Sequence, residues 1–274
     1  MTQPDRFAAL FERLAARNEG AFVPFMNLCD PDPETSADVL EAIIAGGADA
    51  LELGIPFSDP CADGPVIELS AQRALAAGST TAKCFAIVKG IRERHPDLPI
   101  SLMLYVNLTI ARGLGNFFRA AAEAGVDAVL IPDVPISMRE LEPEWDGEAE
   151  KAGIKLIAIV PPNSSPEIID AVAKRSKGYV YLLSRVGITG TDRAAEMPSI
   201  REIELLKASN SAPTLLGFGI SRPEQVRAAI ASGASGAIAG SAVTKIVAAN
   251  LNDKPKMLAE LTAFIAEMKA ATRP

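Results

Sequence analysis

The sequence predicts an α/β fold, a (β/α)8 TIM barrel, and three observations carry that prediction. Short apolar runs alternate with helical stretches from end to end, and eight such units fit within 274 residues. The helix-to-strand junction also recurs, as Gly47-Ala48-Asp49-Ala50, Gly125-Val126-Asp127-Ala128 and Gly233-Ala234-Ser235-Gly236. A doubly wound open sheet is the competing arrangement, but no GxGxxG follows any predicted strand. No linker or low-complexity segment divides the chain, so residues 1–274 are expected to form one domain.

Phe7, Leu10, Phe11 and Leu14 recur at helical spacing, which predicts an extra N-terminal helix over 5–17, laid on the outside of the barrel. The apolar run 21–28 reads as the first strand, and 33–45 as a helix that Gly46-Gly47 closes. Strand 50–53, helix 71–94, strand 100–105, helix 114–123 and strand 128–131 come next. Helix 145–152, strand 156–160, helix 166–174, strand 179–183 and helix 200–208 continue the alternation. Strand 214–216, helix 223–232 and strand 236–239 complete it, before a short extra helix, 242–249, and a closing helix, 255–271.

With 49% apolar residues the chain can fill a sizeable core, and only 5% are aromatic, as suits many short strands and helices. The 27 basic residues are outnumbered by 34 acidic ones and form no cluster with interleaved aromatics, so nucleic acid is not an expected partner. Cys29, Cys61 and Cys84 are odd in number and lack CxxC spacing, which argues against a disulfide framework or a zinc site and fits a reducing cytoplasm. Charged residues interrupt the first twenty positions, so they read as neither a secretion signal nor a membrane span. A cytoplasmic location is expected.

In such a barrel the strand C-termini and the loops after them form the active face. Glu52 lies at the end of the second strand between Leu51 and Leu53, a costly place for a carboxylate unless it is paired, hydrogen-bonded or protonated. Asp59 and Asp63 lie beyond it on a loop stiffened by prolines, and Glu52 with Asp63 could act as an acid/base pair at one mouth. After the late strands come Gly187-Ile188-Thr189-Gly190, Gly217-Phe218-Gly219-Ile220-Ser221 and Gly240-Ser241, the last opening a short helix. Glycines there let backbone N–H groups approach an anion, and the helix start adds partial positive charge, so a phosphate site is expected.

Other chemistries are excluded by what is missing. His95, the sole histidine, falls before strand three and reads as a surface residue, so no histidine-ligated metal is expected, and no carboxylate cluster suggests magnesium. Lysine is absent from the predicted strand C-termini, Lys155 being at the wrong end of its strand, which argues against a Schiff base. What remains is acid/base work by Glu52 and Asp63 on a phosphorylated substrate. The segment 184–198, with Arg185, Asp192 and Arg193, is either a lid or an ordinary surface loop. Phe25, Tyr105, Tyr181 and Phe218 either line an apolar pocket for a flat ring or pack in the core.

The run Leu51-Glu52-Leu53-Gly54-Ile55-Pro56-Phe57-Ser58-Asp59-Pro60, with Ala62-Asp63-Gly64-Pro65, resembles the signature of the tryptophan synthase alpha subunit family. The likeness extends through Phe22-Val23-Pro24-Phe25, residues 179–185, Gly217 to Ser221 and Gly240-Ser241. The resemblance implies retro-aldol cleavage of indole-3-glycerol phosphate to indole and glyceraldehyde 3-phosphate. It implies that Glu52 protonates indole C3 and then takes the glycerol hydroxyl proton, that Asp63 stabilises charge at the indole nitrogen, and that Tyr181 lies beside the general acid. Phe25, Tyr105, Phe218, Gly190, Gly219, Gly240 and Ser241 are then substrate-binding, and Arg185, Gly187 and Thr189 belong to the lid. No metal or cofactor is implied in this chain; pyridoxal phosphate belongs to a beta subunit, the partner in an alpha2beta2 assembly, with Asn107 and Asp133-Val134-Pro135 near that interface.

The chain departs from the family pattern at Asn27, Cys29 and Cys61, where Thr, Gly and Leu are usual, and around 143–147. Two alternatives remain: a regulatory partner subunit with weak activity of its own, or another phosphate-binding barrel enzyme of aromatic amino-acid biosynthesis. An indole-glycerol-phosphate synthase would carry a strand-end lysine, which this chain lacks.

Overall fold

The computed structural model describes residues 5–184 and 200–273. In chain order its elements are α1 (Arg6–Ala15), β1 (Ala21–Asn27), α2 (Pro33–Ala45), β2 (Leu51–Gly54), α3 (Pro65–Ala76), α4 (Thr81–Arg94), β3 (Ile100–Met103), α5 (Val106–Ile110) and α6 (Leu114–Glu123). Next come β4 (Ala128–Leu130), α7 (Ile136–Leu141), α8 (Glu144–Lys151), β5 (Lys155–Leu156), β6 (Ala158–Val160), α9 (Pro166–Arg175), β7 (Val180–Leu183) and α10 (Ile200–Ala208). The chain ends with β8 (Thr214–Gly217), α11 (Pro223–Ala231), β9 (Gly236–Ala239), α12 (Ser241–Ala249) and α13 (Lys254–Ala270).

All strand pairings are parallel, in the order β5-β4-β3-β2-β1-β9-β8-β7-β6. The two end segments are halves of the expected fifth strand, interrupted at Ile157: Leu156 pairs with Val129 of β4, and Ile159 pairs with Tyr181 of β7. That one stretch has a neighbour on each side, which makes eight barrel positions from nine segments.

Period-two alternation decides what faces inward. In β1, Phe22 and Met26 join the apolar layer between barrel and helices, while Ala21, Val23 and Phe25 join a second cluster inside the barrel. Leu51 and Leu53 of β2 likewise point outward, which sends Glu52 inward. In β7, Val180 and Leu182 face the helices, while Tyr181, with Tyr179 just before the strand, faces the interior.

Two expectations change. Helix α1 does not lie on the flank: Phe7, Leu10 and Leu14 enter the interior cluster, and Phe7 packs on Tyr179 with ring centroids 5.3 Å apart. Ion pairs from Arg6 to Asp127 and from Asp5 to Lys155, both at strand N-termini, hold it across the end of the barrel away from the strand C-termini. The helix expected over 71–94 is two helices and starts earlier, at Pro65. Gly78, at φ +80°, ends the first, and Thr80 caps the second by accepting from the Lys83 amide at 3.2 Å.

Candidate active site

At the strand C-termini, Phe25, Glu52, Asp63, Tyr181, Phe218, Gly219, Gly240 and Ser241, all expected from the sequence, line one pocket. Ile67, Met103, Ile220 and Ile238 complete its described wall and make it predominantly apolar. Register brings the groups level: Phe25 of β1 sits opposite Glu52, and Glu52 opposite Ser101 of β3.

Glu52 is wholly buried. The Tyr179 hydroxyl donates to its Oε1 at 2.7 Å across the barrel, and among the described residues Oε2 has no hydrogen-bond partner. Burial raises its pKa from 4.5 to about 7, opposed by the Tyr179 hydrogen bond. Tyr179 in turn lies 3.1 Å from Ser101 Oγ, and Ser101 donates to the Leu51 carbonyl at 3.3 Å. A carboxyl group poised near neutrality can both give and take a proton.

Asp63 stands immediately before Gly64, the N-cap of α3, and is half-buried. Burial raises its pKa from 3.8 to about 6; the Tyr105 hydroxyl lowers it and Glu68 adds to the rise. Tyr105 does not form part of the described pocket wall. It is the N-cap residue of α5, and its hydroxyl accepts from the Ala62 amide at 3.1 Å, bracing the Asp63 loop.

A buried polar network ties the first loop to α3. Asn27 Nδ2 donates to the Ile67 carbonyl at 3.2 Å and to Ser70 Oγ at 3.1 Å; Ser70 donates to Asp30, which also takes both arms of Arg73. Gly54 is required beside it, because a Cβ there would lie 2.1 Å from Asn27 Oδ1.

Two of the three glycine loops, 217–221 and 240–241, meet on the pocket wall. Phe218 adopts φ +71° and Gly219 +74°, with Ser184 donating to the Phe218 carbonyl at 2.6 Å. Gln225 of α11 closes the turn: its Oε1 accepts from the Ser221 and Arg222 amides at 2.8 and 3.0 Å, and its Nε2 donates to the Gly219 carbonyl at 2.9 Å. Helix α12 begins at this edge, and its N-cap, Gly240, makes no side-chain cap. No Lys or Arg is among the described residues of the pocket wall, so the attraction for an anion there rests on backbone amides and the start of α12.

Arg185, Gly187, Thr189 and Gly190, with all of the expected lid after Ser184, lie outside the described residues. His95 is partly buried and pairs with Glu41 at 2.8 Å, remote from the pocket wall. Tyr179 and Gln225 are the polar contributors that sequence reasoning missed, alongside Ile67, Met103 and Ile238 of the apolar wall. Tyr179 shares the inward parity of Tyr181, and Gln225 stands two residues after the helix-opening Pro223, so each left a signal. Among the described residues no cluster of three His, Cys, Asp or Glu could hold a metal, and no helix is long and apolar enough to cross a membrane.

The sequence profile of the family described as tryptophan synthase alpha chain matches residues 11–273. The tryptophan synthase alpha chain of Photobacterium profundum is 51% identical over 98% of this chain and 99% of its own length. The solved alpha subunit of Legionella pneumophila tryptophan synthase superposes with TM-score 0.87 at 29% identity, covering 97% of this chain and 98% of that one. A structure concerned with mutual activation of the a2b2 complex from Pyrococcus furiosus gives TM-score 0.82 at 32% identity, covering 91% and 98%. The chain belongs to the tryptophan synthase alpha chain family, lyases that cleave indole-3-glycerol phosphate.

Proposed function

We propose that Glu52 and Asp63 carry out this cleavage as a divided pair. Protonated Glu52 delivers its proton to indole C3, and the positive charge that develops at the ring nitrogen is met by ionised Asp63. The Glu52 carboxylate then removes the proton from the hydroxyl on the adjacent glycerol carbon. The carbon–carbon bond breaks, its electrons return to the ring, and glyceraldehyde 3-phosphate and indole separate. Neither a metal nor a Schiff base enters any step, because the protonated ring is itself the electron sink.

The observation that supports this most directly is the state of Glu52: buried on the pocket wall, near neutrality, with one oxygen held by Tyr179 and the other without a hydrogen-bond partner among the described residues. Phe25, Tyr181 and Phe218 hold the indole, while Gly219, Gly240 and Ser241 receive the phosphate at the start of α12. The family resemblance assigns Gly190 to phosphate binding and Arg185, Gly187 and Thr189 to the lid, all four outside the described residues. Gly217 leaves room for Tyr181, since a Cβ there would lie 2.2 Å from its hydroxyl oxygen. The chain works in the cytoplasm in an alpha2beta2 assembly like that named for the Pyrococcus furiosus protein, with pyridoxal phosphate in the beta subunit only.

The test is indole release from indole-3-glycerol phosphate by the purified chain, alone and with a beta subunit. Glu52→Gln is expected to cut turnover by roughly 10²–10⁴-fold while still binding glycerol 3-phosphate. Undiminished turnover in that variant would sink the assignment of Glu52. Release that rises on adding the beta subunit is the expected sign of coupling, and release that stays feeble under both conditions would favour the regulatory reading.

A further inference from the structure

Two of the three thiols meet in a place the reaction does not use. Cys29, in the loop after β1, and Cys84, on α4, are both wholly buried, with their sulfurs 3.8 Å apart. Ser79 Oγ approaches Cys84 Sγ at 3.7 Å, and the Cys29 amide donates to Ser36 Oγ at 3.0 Å. Cys29 holds a left-handed backbone at φ +64°, a conformation that strains a residue with a Cβ. The contact between the thiols therefore comes with a strained residue at its centre.

The neighbours of Cys29 lead to both carboxylates. The Leu28 amide donates to the Gly54 carbonyl at 2.8 Å, two residues beyond Glu52 on β2. On the other side, Asp30 is held by Ser70 and Arg73 of α3, the helix that begins two residues after Asp63. These two ties connect the backbone on either side of Cys29 to the segments that carry Glu52 and Asp63.

We propose that Cys29 and Cys84 are a redox pair that a peroxide closes reversibly to an intrachain disulfide, and that closure slows turnover by pulling on the backbone of the site. A disulfide requires the sulfurs to approach to about 2.05 Å, so one or both segments must move. Burial of both thiols selects a small oxidant. Cys29, whose pKa is lowered first by hydrogen bonding from Cys84, attacks first in this scheme, and the same disulfide forms if the two sulfurs exchange roles.

The Cys29 thiolate attacks one peroxide oxygen, the O–O bond breaks, and hydroxide leaves and takes up a proton as water. Cys29 is then a sulfenic acid. The Cys84 sulfur attacks it, the S–O bond breaks, and the departing hydroxide leaves as water with the Cys84 proton. Each sulfur gives up one electron, and the peroxide is reduced by two. An added dithiol such as dithiothreitol reverses the step by exchange.

The experiment treats the full chain in a Cys61→Ser background with hydrogen peroxide, alkylates free thiols and maps peptides by mass. The expected result is a peptide pair joined through Cys29 and Cys84, with turnover down roughly tenfold and restored by dithiothreitol. Cys29→Gly suits the left-handed backbone and removes the thiol; it and Cys84→Ala should both keep their turnover through the same treatment. The joined peptides are read without substrate, so their absence from folded, oxidised protein overturns the pair whatever the reaction. Joined peptides with unchanged turnover, or an equal loss in both thiol-free variants, would overturn the coupling to the site.

Discussion

Tyr179 donates to Glu52 Oε1 at 2.7 Å from the far side of the barrel, a bond between residues 127 positions apart. It favours the ionised carboxylate and so opposes the burial that raises the Glu52 pKa to about 7. Tyr179→Phe removes the donor and keeps the ring that packs on Phe7. The expected outcome is a further rise in the Glu52 pKa, read as a shift to higher pH of the alkaline fall in kcat/KM. An unmoved alkaline limb would show that Glu52 is not the group titrating there.

The two carboxylates are set apart by environment, at about 7 for Glu52 and about 6 for Asp63. Catalysis in the proposed order needs Glu52 protonated and Asp63 ionised. The profile of kcat/KM should therefore be a narrow bell, rising through about 6 and falling through about 7. Asp63→Asn should remove the acid limb together with most of the activity. A variant that retained parental activity would end the role given to Asp63.

The same burial has a stability consequence of definite sign. Below 4.5, Glu52 is protonated in both folded and unfolded chains and costs nothing as a charge. Between 4.5 and about 7 the unfolded chain gives up its proton while the folded one keeps it, so stability falls as pH rises; above about 7 the loss is complete. That gap corresponds to about 3 kcal/mol. Glu52→Gln, neutral throughout, should therefore gain on the parent in denaturant melts from pH 4.5 to 7 and hold a constant advantage above. Equal stability at pH 8 would contradict a burial-raised carboxyl at position 52.

How much of the molecule was legible in the sequence depends on the distance over which each feature is decided. The inward direction of Glu52 follows locally, because Leu51 and Leu53 must face the helices. The loop glycines were legible for a similar reason, each standing just after an apolar run. The Tyr179 bond was not, since it depends on barrel closure and the relative register of strands far apart in sequence. Gly78 and Thr80 did carry the stop and start signals between α3 and α4, but the apolar spacing running through them outweighed those signals. Tyr105 shows what position alone leaves out: it follows a strand end, and its hydroxyl is engaged with Asp63 and the Ala62 amide while the residue is not among the described residues of the pocket wall.

Gln225 offers a test of the glycine edge that leaves the carboxylates alone. Its side chain joins three points of one turn, accepting from the amides of Ser221 and Arg222 and donating to the carbonyl of Gly219. Removing it frees the segment that carries Phe218 and Gly219 but touches neither Glu52 nor Asp63. Gln225→Ala should raise KM for indole-3-glycerol phosphate about tenfold, with kcat less affected and the pH limits unchanged. Gln225→Glu keeps the acceptor, loses the donor to Gly219 and adds a negative charge beside the proposed phosphate edge. Its KM should exceed that of the alanine variant, and the difference should shrink as salt screens the added charge. If Glu bound substrate as well as Gln does, neither the Gly219 bond nor a nearby phosphate could be the reason this side chain matters.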